Sequence, residues 1–259
     1  MGVRHQGRIK LLAPLSCYRS DLHVHTVLSP CAEIEMIPPL IVEEALAKEI
    51  QLIAITDHNA SYNIAAVQKA SEKTGLTVLP GMEIQTKEEV HVLCLFDSLD
   101  QISEFQKIVN NNLPNLKNKE DYFGYQLIVD ELGNLIRMED QLLLTSTFLS
   151  IDEIWRIVEK LNGLIIPAHV NRKVNGLIEI LGFVPNEVSI KALEISRHIT
   201  PGKAKETFPQ IKGYPIIQNG DVHRLNEFLG STYFFIENPT ISEIKLALSG
   251  TDGRYFQVI

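Results

Sequence analysis

Ser20 to Cys31, SDLHVHTVLSPC, is the stretch on which the reading of this chain turns. Its first half alternates polar and apolar residues, the period-two pattern of a half-buried strand, so His23 and His25 point to one face. Two imidazoles side by side either share a hydrogen-bond network or hold a metal ion. One pair decides little, and the rest of the chain must choose.

Short β-branched runs follow at LIAIT (52–56), LTVLPGMEI (76–84), VHVLCLF (90–96), LIIPAH (164–169), ALEIS (192–196), PIIQNGDVH (215–223) and TYFFIE (232–237). Several are nearly continuous apolar segments, as strands covered on both faces must be. Amphipathic stretches lie between them. PPLIVEEALAKE opens with prolines that a first helical turn tolerates, and IAAVQKASEKTG ends in Gly75. SIDEIWRIVEKLNG starts with the capping box Ser150-x-x-Glu153 and stops at Gly163, a grammar repeated by Thr240, Glu243 and Gly250. This alternation predicts an α/β fold with a mainly parallel sheet, open or closed into a barrel, whose functional side chains gather at the C-terminal strand ends. Residues 1–19 read as a tail and 20–259 as a single domain. Residues 110–149 interrupt the alternation, and Gly133-Asn134 marks a hairpin there. That insertion either caps the site or decorates it.

The chain has 259 residues, 45% of them hydrophobic, with 24 basic and 32 acidic side chains and a net charge of −8. Such an acidic balance opposes a broad phosphate-neutralising surface, so no duplex nucleic acid is expected as a partner. Cys17, Cys31 and Cys94 are too few and too scattered for a disulfide framework. No run is long and apolar enough for a membrane span, and a cytoplasmic protein is expected. No Walker or Rossmann glycine loop is present.

The eight histidines are 5, 23, 25, 58, 91, 169, 198 and 223. His5 reads as a tail residue and His198 as a loop residue. The other six fall within or just beyond predicted strands, and Asp57, Glu83 and Asp221 join them there. Asp221 and His223 share a face if their strand is extended. So many imidazoles and carboxylates in one buried mouth demand a counter-charge. Divalent cations provide it, and this donor set suits zinc, manganese or iron. The donors exceed one tetrahedral site, so two or three metals are expected.

In order along the chain, DLHVHT, ITDHN, PGMEI, HVL, PAHV and GDVH resemble the motifs of the polymerase and histidinol phosphatase (PHP) metal-dependent phosphoesterases, from about Ser20 to Glu237. The resemblance implies a distorted seven-stranded β/α barrel with a trinuclear site. It implies that His23, His25, Glu83 and Asp221 hold one metal and that Glu83 bridges to a second held by His91 and His169. It implies a third metal on His58 and His223. The family's remaining ligand for the third metal is an Asp or His in the loop after the H-x-H pair, and Cys31 stands at that position. Cys31 serves through its thiolate, Glu33 or Glu35 substitutes, or the third site is weak. Asp21 is expected to orient His23 or His25, and Asp57 to do the same or to shuttle a proton.

The implied chemistry is hydrolysis of a phosphoester by a hydroxide shared between metals, with Glu83 setting their spacing. Arg172 and Arg197, with Arg224 behind them, are the candidate phosphate grips. The leading expectation is a small phosphomonoester such as a nucleotide. A phosphodiesterase or exonuclease on short nucleic acid and a non-catalytic metal-binding domain are the alternatives. Oligomeric state is not legible.

Overall fold

A strand covered on both faces needs an apolar residue at every position, and LIAI at Leu52–Ile55 is buried throughout. The structure, a computed structural model, describes residues 14–186 and 188–259, so His5 lies outside the described residues. The strands are β1 (Ser16–Val24), β2 (Leu52–Ile55), β3 (Thr77–Gln85), β4 (His91–Leu95), β5 (Leu127–Val129), β6 (Leu135–Met138), β7 (Leu164–Pro167), β8 (Leu193–Ile195), β9 (Ile216–Gln218), β10 (Thr232–Ile236) and β11 (Tyr255–Val258). The helices are α1 (Pro38–Ala47), α2 (Ile64–Ser71), α3 (Leu99–Asn110), α4 (Glu120–Phe123), α5 (Ile151–Lys160), α6 (Leu177–Leu181), α7 (Pro201–Thr207) and α8 (Ile241–Ser249). Every strand read from the sequence is found, with shifted ends. Residues 16–19, read as tail, belong to β1 and pair with β10 from Ser16↔Ile236 onward.

A seven-stranded sheet runs β11-β10-β1-β2-β3-β4-β7. It is parallel only at β1–β2 and β2–β3, which corrects the mainly parallel expectation. Residues 86–90 are too short for a crossover, so β4 turns back antiparallel to β3 and then to β7. The parallel pair β8–β9 spans the gap. Val170 N donates to Glu194 O at 2.9 Å, while His25 N donates to Val222 O and Val222 N to His23 O, each at 2.9 Å. The outcome is the distorted seven-stranded β/α barrel, β1-β2-β3-β4-β7-β8-β9, with β10 and β11 diverging along the first half of β1.

Two apolar layers hold it. Outside, Ile53, Ile55, Met82, Val92, Phe96, Phe105 and Trp155 pack between sheet and helices. Inside, Leu22, Ala54, Leu79, Leu93, Leu95, Ile166 and Ile217 form a floor beneath the mouth. Helix α5 shows how the sequence builds the outer layer. Ser150 and Glu153 close both bonds of the capping box, and Ile151, Ile154, Trp155 and Val158 make the buried stripe. Gly163 is not the cap expected: Asn162 takes the left-handed backbone at φ 59°. A Cβ on Gly163 would come within 2.6 Å of Phe96, so the glycine is needed for close packing. Helix α2 likewise stops at Ser71, short of Gly75.

The insertion forms the expected hairpin, β5 against β6, turning through Gly133 at φ 83°. It braces the loops beside the mouth. Leu127 N donates to Val27 O at 2.9 Å, and Asn59 Nδ2 donates to Leu143 O and Thr145 O, both at 2.8 Å. Among the described residues no helix is long and apolar enough to cross a membrane.

Candidate metal centre

The barrel delivers its chemistry-bearing side chains to one rim. His23 and His25 come from the end of β1, Asp57 and His58 from the loop after β2, and Glu83 from the mouth half of β3. His91 is the first residue of β4, which reaches the same rim because that strand runs backward. His169 follows β7, Glu194 lies in β8, and Asp221 and His223 follow β9. In β1 the pairing register with β2 shifts between Asp21 and Val24. Leu22 can therefore join the apolar floor while the adjacent His23 also reaches the mouth. The extended strand expected through Asp221 and His223 is not formed: β9 ends at Gln218, and Asp221 turns through φ 50°. His169 also has positive φ, at 28°. Backbone strain of this kind persists where the surroundings fix it, commonly at functional sites.

Glu83 is the hub, with 1% of its surface exposed. Its Oε1 lies 2.8 Å from His91 Nδ1, 3.1 Å from His169 Nε2 and 3.3 Å from His23 Nε2. Its Oε2 lies 3.0 Å from His58 Nδ1 and 3.3 Å from His25 Nε2. Asp221 Oδ1 approaches His23 Nε2 at 3.3 Å and His25 Nε2 at 3.6 Å. Donor atoms within 4.8 Å of one another form three sets: His23, His25 and Asp221; His25, His58 and His223; His58, Glu83 and His91.

Among the described residues, the buried atoms His23 Nε2, His25 Nε2, Glu83 Oε2, His91 Nε2 and His169 Nδ1 lack an aligned hydrogen-bond partner. Each such atom costs about 1–3 kcal/mol if nothing satisfies it. Imidazole nitrogens and carboxylate oxygens gathered this closely fit divalent zinc, manganese or iron, and these residues could hold more than one ion.

Residues behind the donors fix their aim. Glu194, fully buried, receives His23 Nδ1 at 3.1 Å from both carboxylate oxygens and accepts His169 N at 3.3 Å. Sequence reasoning missed it, although a charged residue in the apolar run ALEIS was a usable signal. Ser29 Oγ meets His25 Nδ1 at 2.9 Å and donates to Asp57 Oδ1 at 2.7 Å. Asp57 also accepts Thr26 N at 2.7 Å and Thr26 Oγ1 at 2.8 Å. Asp57 is thus the clamp of the loop after β1 and acts on His25 only through Ser29. Its hydrogen bonds go to Thr26 and Ser29, the latter in contact with His25, which matches the orienting alternative. The expectation for Asp21 is corrected. Its carboxylate accepts the backbone N–H groups of Gly220 and Leu229, each at 2.9 Å, and contacts neither imidazole by a hydrogen bond.

Cys31 is exposed at the mouth, beside His58 and His223. The two proposed substitutes are elsewhere: Glu33 pairs with Arg224 Nε at 2.5 Å, and Glu35 is exposed. A cavity of about 340 Å³ is lined by Cys31, Arg172, Arg197, His198, Asp221, His223 and Arg224, with no residue from 110–149. The insertion therefore buttresses the site from the side and does not cap this cavity. His198, read as an ordinary loop residue, lines it. Arg172 Nη1 donates to Asp221 Oδ2 at 2.6 Å, while Arg197 donates to Gly220 O at 2.8 Å and to Glu227 Oε1 at 2.7 Å.

The electrostatics follow from burial and crowding. Burial opposes the charge of Glu83, yet His91, His23 and His58 hold its carboxyl well below the usual range. Burial also opposes an imidazolium at His23, but Glu194, Glu83 and Asp221 drive its pKa well above normal. Against the same opposition, Cys31 and Glu83 raise His58. His91 goes the other way, to about 4, because burial outweighs Glu83. At Cys31 burial raises the thiol, but His58 and His223 outweigh it and bring the pKa down to about 5.

Comparison with known proteins adds four findings. The sequence profile described as the PHP domain matches residues 21–182. The DNA polymerase III PolC-type of Ureaplasma parvum serovar 3 is 25% identical, over 80% of this chain and 16% of the polymerase. The lesion-specific endonuclease PfuEndoQ of Pyrococcus furiosus superposes with a TM-score of 0.73 at 23% identity, covering 93% of this chain and 58% of the endonuclease. Endonuclease Q in complex with a 27-mer duplex carrying an abasic lesion superposes at 0.67, with 21% identity, over 93% of this chain and 58% of that one. The chain thus spans only part of the length of each.

Two outcomes follow from the geometry. Replacing the partner that orients a ligating histidine typically costs about 10–100-fold in metal affinity, so Glu194→Ala should weaken zinc binding by that factor in a competition titration with a chelator. The raised pKa values of His23 and His58 mean that both carry protons at neutral pH, and a metal must displace them. Affinity should therefore rise with pH up to those pKa values and fall as acid is added. Calorimetry in buffers of different ionisation enthalpy should register proton release on metal binding; a binding heat independent of buffer contradicts this.

Proposed function

The chain belongs to the PHP domain family, and from that premise we propose that it is a metal-dependent phosphoesterase acting on a small phosphomonoester. One observation carries the substrate class. Three arginines and His198 surround a cavity of about 340 Å³ that opens onto Asp221 and His223, in a chain whose net charge is −8. Guanidinium groups gathered at one small-molecule-sized mouth, each paired with a carboxylate (Asp221, Glu227 or Glu33), offer N–H donors that fit a compact anion better than a long polyanion.

In this reading His23, His25, Glu83 and Asp221 would hold one cation, Glu83 with His91 and His169 would hold a second, and His58 and His223 would serve a third. Bound divalent cations supply Lewis acidity and an activated water for attack on phosphorus. The protein's own groups do the positioning. Glu227 and the Gly220 carbonyl fix the Arg197 guanidinium at the rim, and the rest of its five N–H donors can receive phosphate oxygens. Arg172 leaves Asp221 for the same phosphate when substrate enters. Glu194 and Ser29 keep the unpartnered Nε2 atoms of His23 and His25 aimed inward.

Cleavage of a phosphodiester in DNA is the second reading, favoured by likeness to an endonuclease solved with duplex substrate and by a cavity that the insertion leaves uncovered. It opposes the expectation, drawn from net charge, that duplex nucleic acid is excluded.

The experiment is turnover by metal-loaded protein on a panel of phosphomonoesters, a bis-aryl phosphate and a duplex with one abasic site. Phosphate release from a monoester, abolished in His169→Ala, is the expected result. Losing an Arg–phosphate bond of about 1.5–3 kcal/mol should raise KM roughly 10–100-fold in Arg197→Ala. Diester or duplex cleavage without monoester turnover replaces the first reading with the second. No turnover by protein with its metals bound overturns both and leaves a metal-binding domain.

A further inference from the structure

We propose that Cys31, with His58 and His223, forms a thiolate-containing metal site that prefers zinc, iron(II) or cobalt(II) over manganese and magnesium. This rests on reading the histidine cluster as a metal centre and adds a sulfur ligand together with the metal class it selects.

The loop carrying Cys31 is tied to both histidines. Ser29 Oγ receives the backbone N–H of His58 at 3.2 Å, and Glu33 N donates to the carbonyl of His223 at 2.9 Å. Ala32 N closes a turn onto Ser29 O at 2.9 Å, which leaves Cys31 between those two anchors. Cys31 and His223 line the same cavity. A second observation points to a ligand there. His25 is fully buried with its Nε2 unpartnered, and its ring lies 4.0 Å from that of His223 and 4.6 Å from that of His58. The donor atoms of His25, His58 and His223 fall within 4.8 Å of one another.

Glu83 Oε2 lies 3.0 Å from His58 Nδ1 and Asp221 Oδ1 lies 3.4 Å from His223 Nδ1, while the other carboxylates around the loop are engaged elsewhere. Glu33 is paired with Arg224, and Asp57 is committed to Thr26 and Ser29. Sulfur beside imidazole favours borderline-soft ions, whereas manganese and magnesium favour oxygen. Sulfur coordinates as the thiolate, and the sulfur–metal bond is the one formed. Cys94 is buried within β4 and Cys17 lies at the start of β1, among residues of a separate cavity with Arg19 and Tyr233.

The test is anaerobic titration of the metal-free full chain with cobalt(II), read by absorption and by metal content after desalting. A sulfur-to-cobalt charge-transfer band should appear in the parent protein. It should vanish in Cys31→Ser together with one bound equivalent. Cys31→Asp should lack the band, keep the stoichiometry and shift preference toward manganese. Cys17→Ser should change nothing. Cobalt uptake without a thiolate band, or a band surviving in Cys31→Ser, overturns the proposal while leaving the metal centre intact. No cobalt uptake by folded protein overturns the metal-centre reading itself.

Discussion

A single buried carboxylate, Glu83, organises the mouth of this barrel. It sits above an apolar floor with imidazoles within 3.3 Å of both oxygens. An isolated charge so placed would be expelled or neutralised, because desolvation costs several kcal/mol. Here the imidazoles pull it well below its usual pKa, and it in turn raises His23 and His58. The cluster is therefore one electrostatic unit. Its free energy depends on every member, and cations are the natural replacement for the protons it holds.

The scaffold accommodates that unit by local irregularity. The register shift in β1, the left-handed turn at Asp221 and the positive φ at His169 each redirect a donor that regular strand geometry would send elsewhere. Asp57 and Asp21 secure the same loops from behind through backbone N–H groups and hydroxyls. Glu194 then couples His23 to the backbone of His169 across the barrel. Irregular backbone at the rim is stable because the apolar layers below are regular.

Much of this was legible before any coordinates. Strands buried on both faces announced themselves as apolar runs, and the histidines stood within or just beyond them, mostly at C-terminal ends, with His91 at the start of β4 as the exception. His23 and His25 share the site as their spacing predicted. Less legible were features created by pairing between distant segments. The reversal of β4 depends on a short hairpin that the pattern of VHVLCLF does not encode. Asp221 and His223 converge through a turn, not through an extended strand. Glu194 hid in a run that looked like an ordinary core strand. Asp57 looked like a reacting group because it adjoins His58, although its partners are Thr26 and Ser29.

The central claim is that Glu83, with the imidazoles around it, would hold divalent cations. Anomalous diffraction from crystals loaded with manganese or zinc tests it most directly. The account predicts anomalous density in contact with Glu83, among His91 and His169 and among His23, His25 and Asp221. Loaded crystals with no anomalous peak in contact with Glu83, its carboxylate still hydrogen-bonded to His91 and His169, would contradict it.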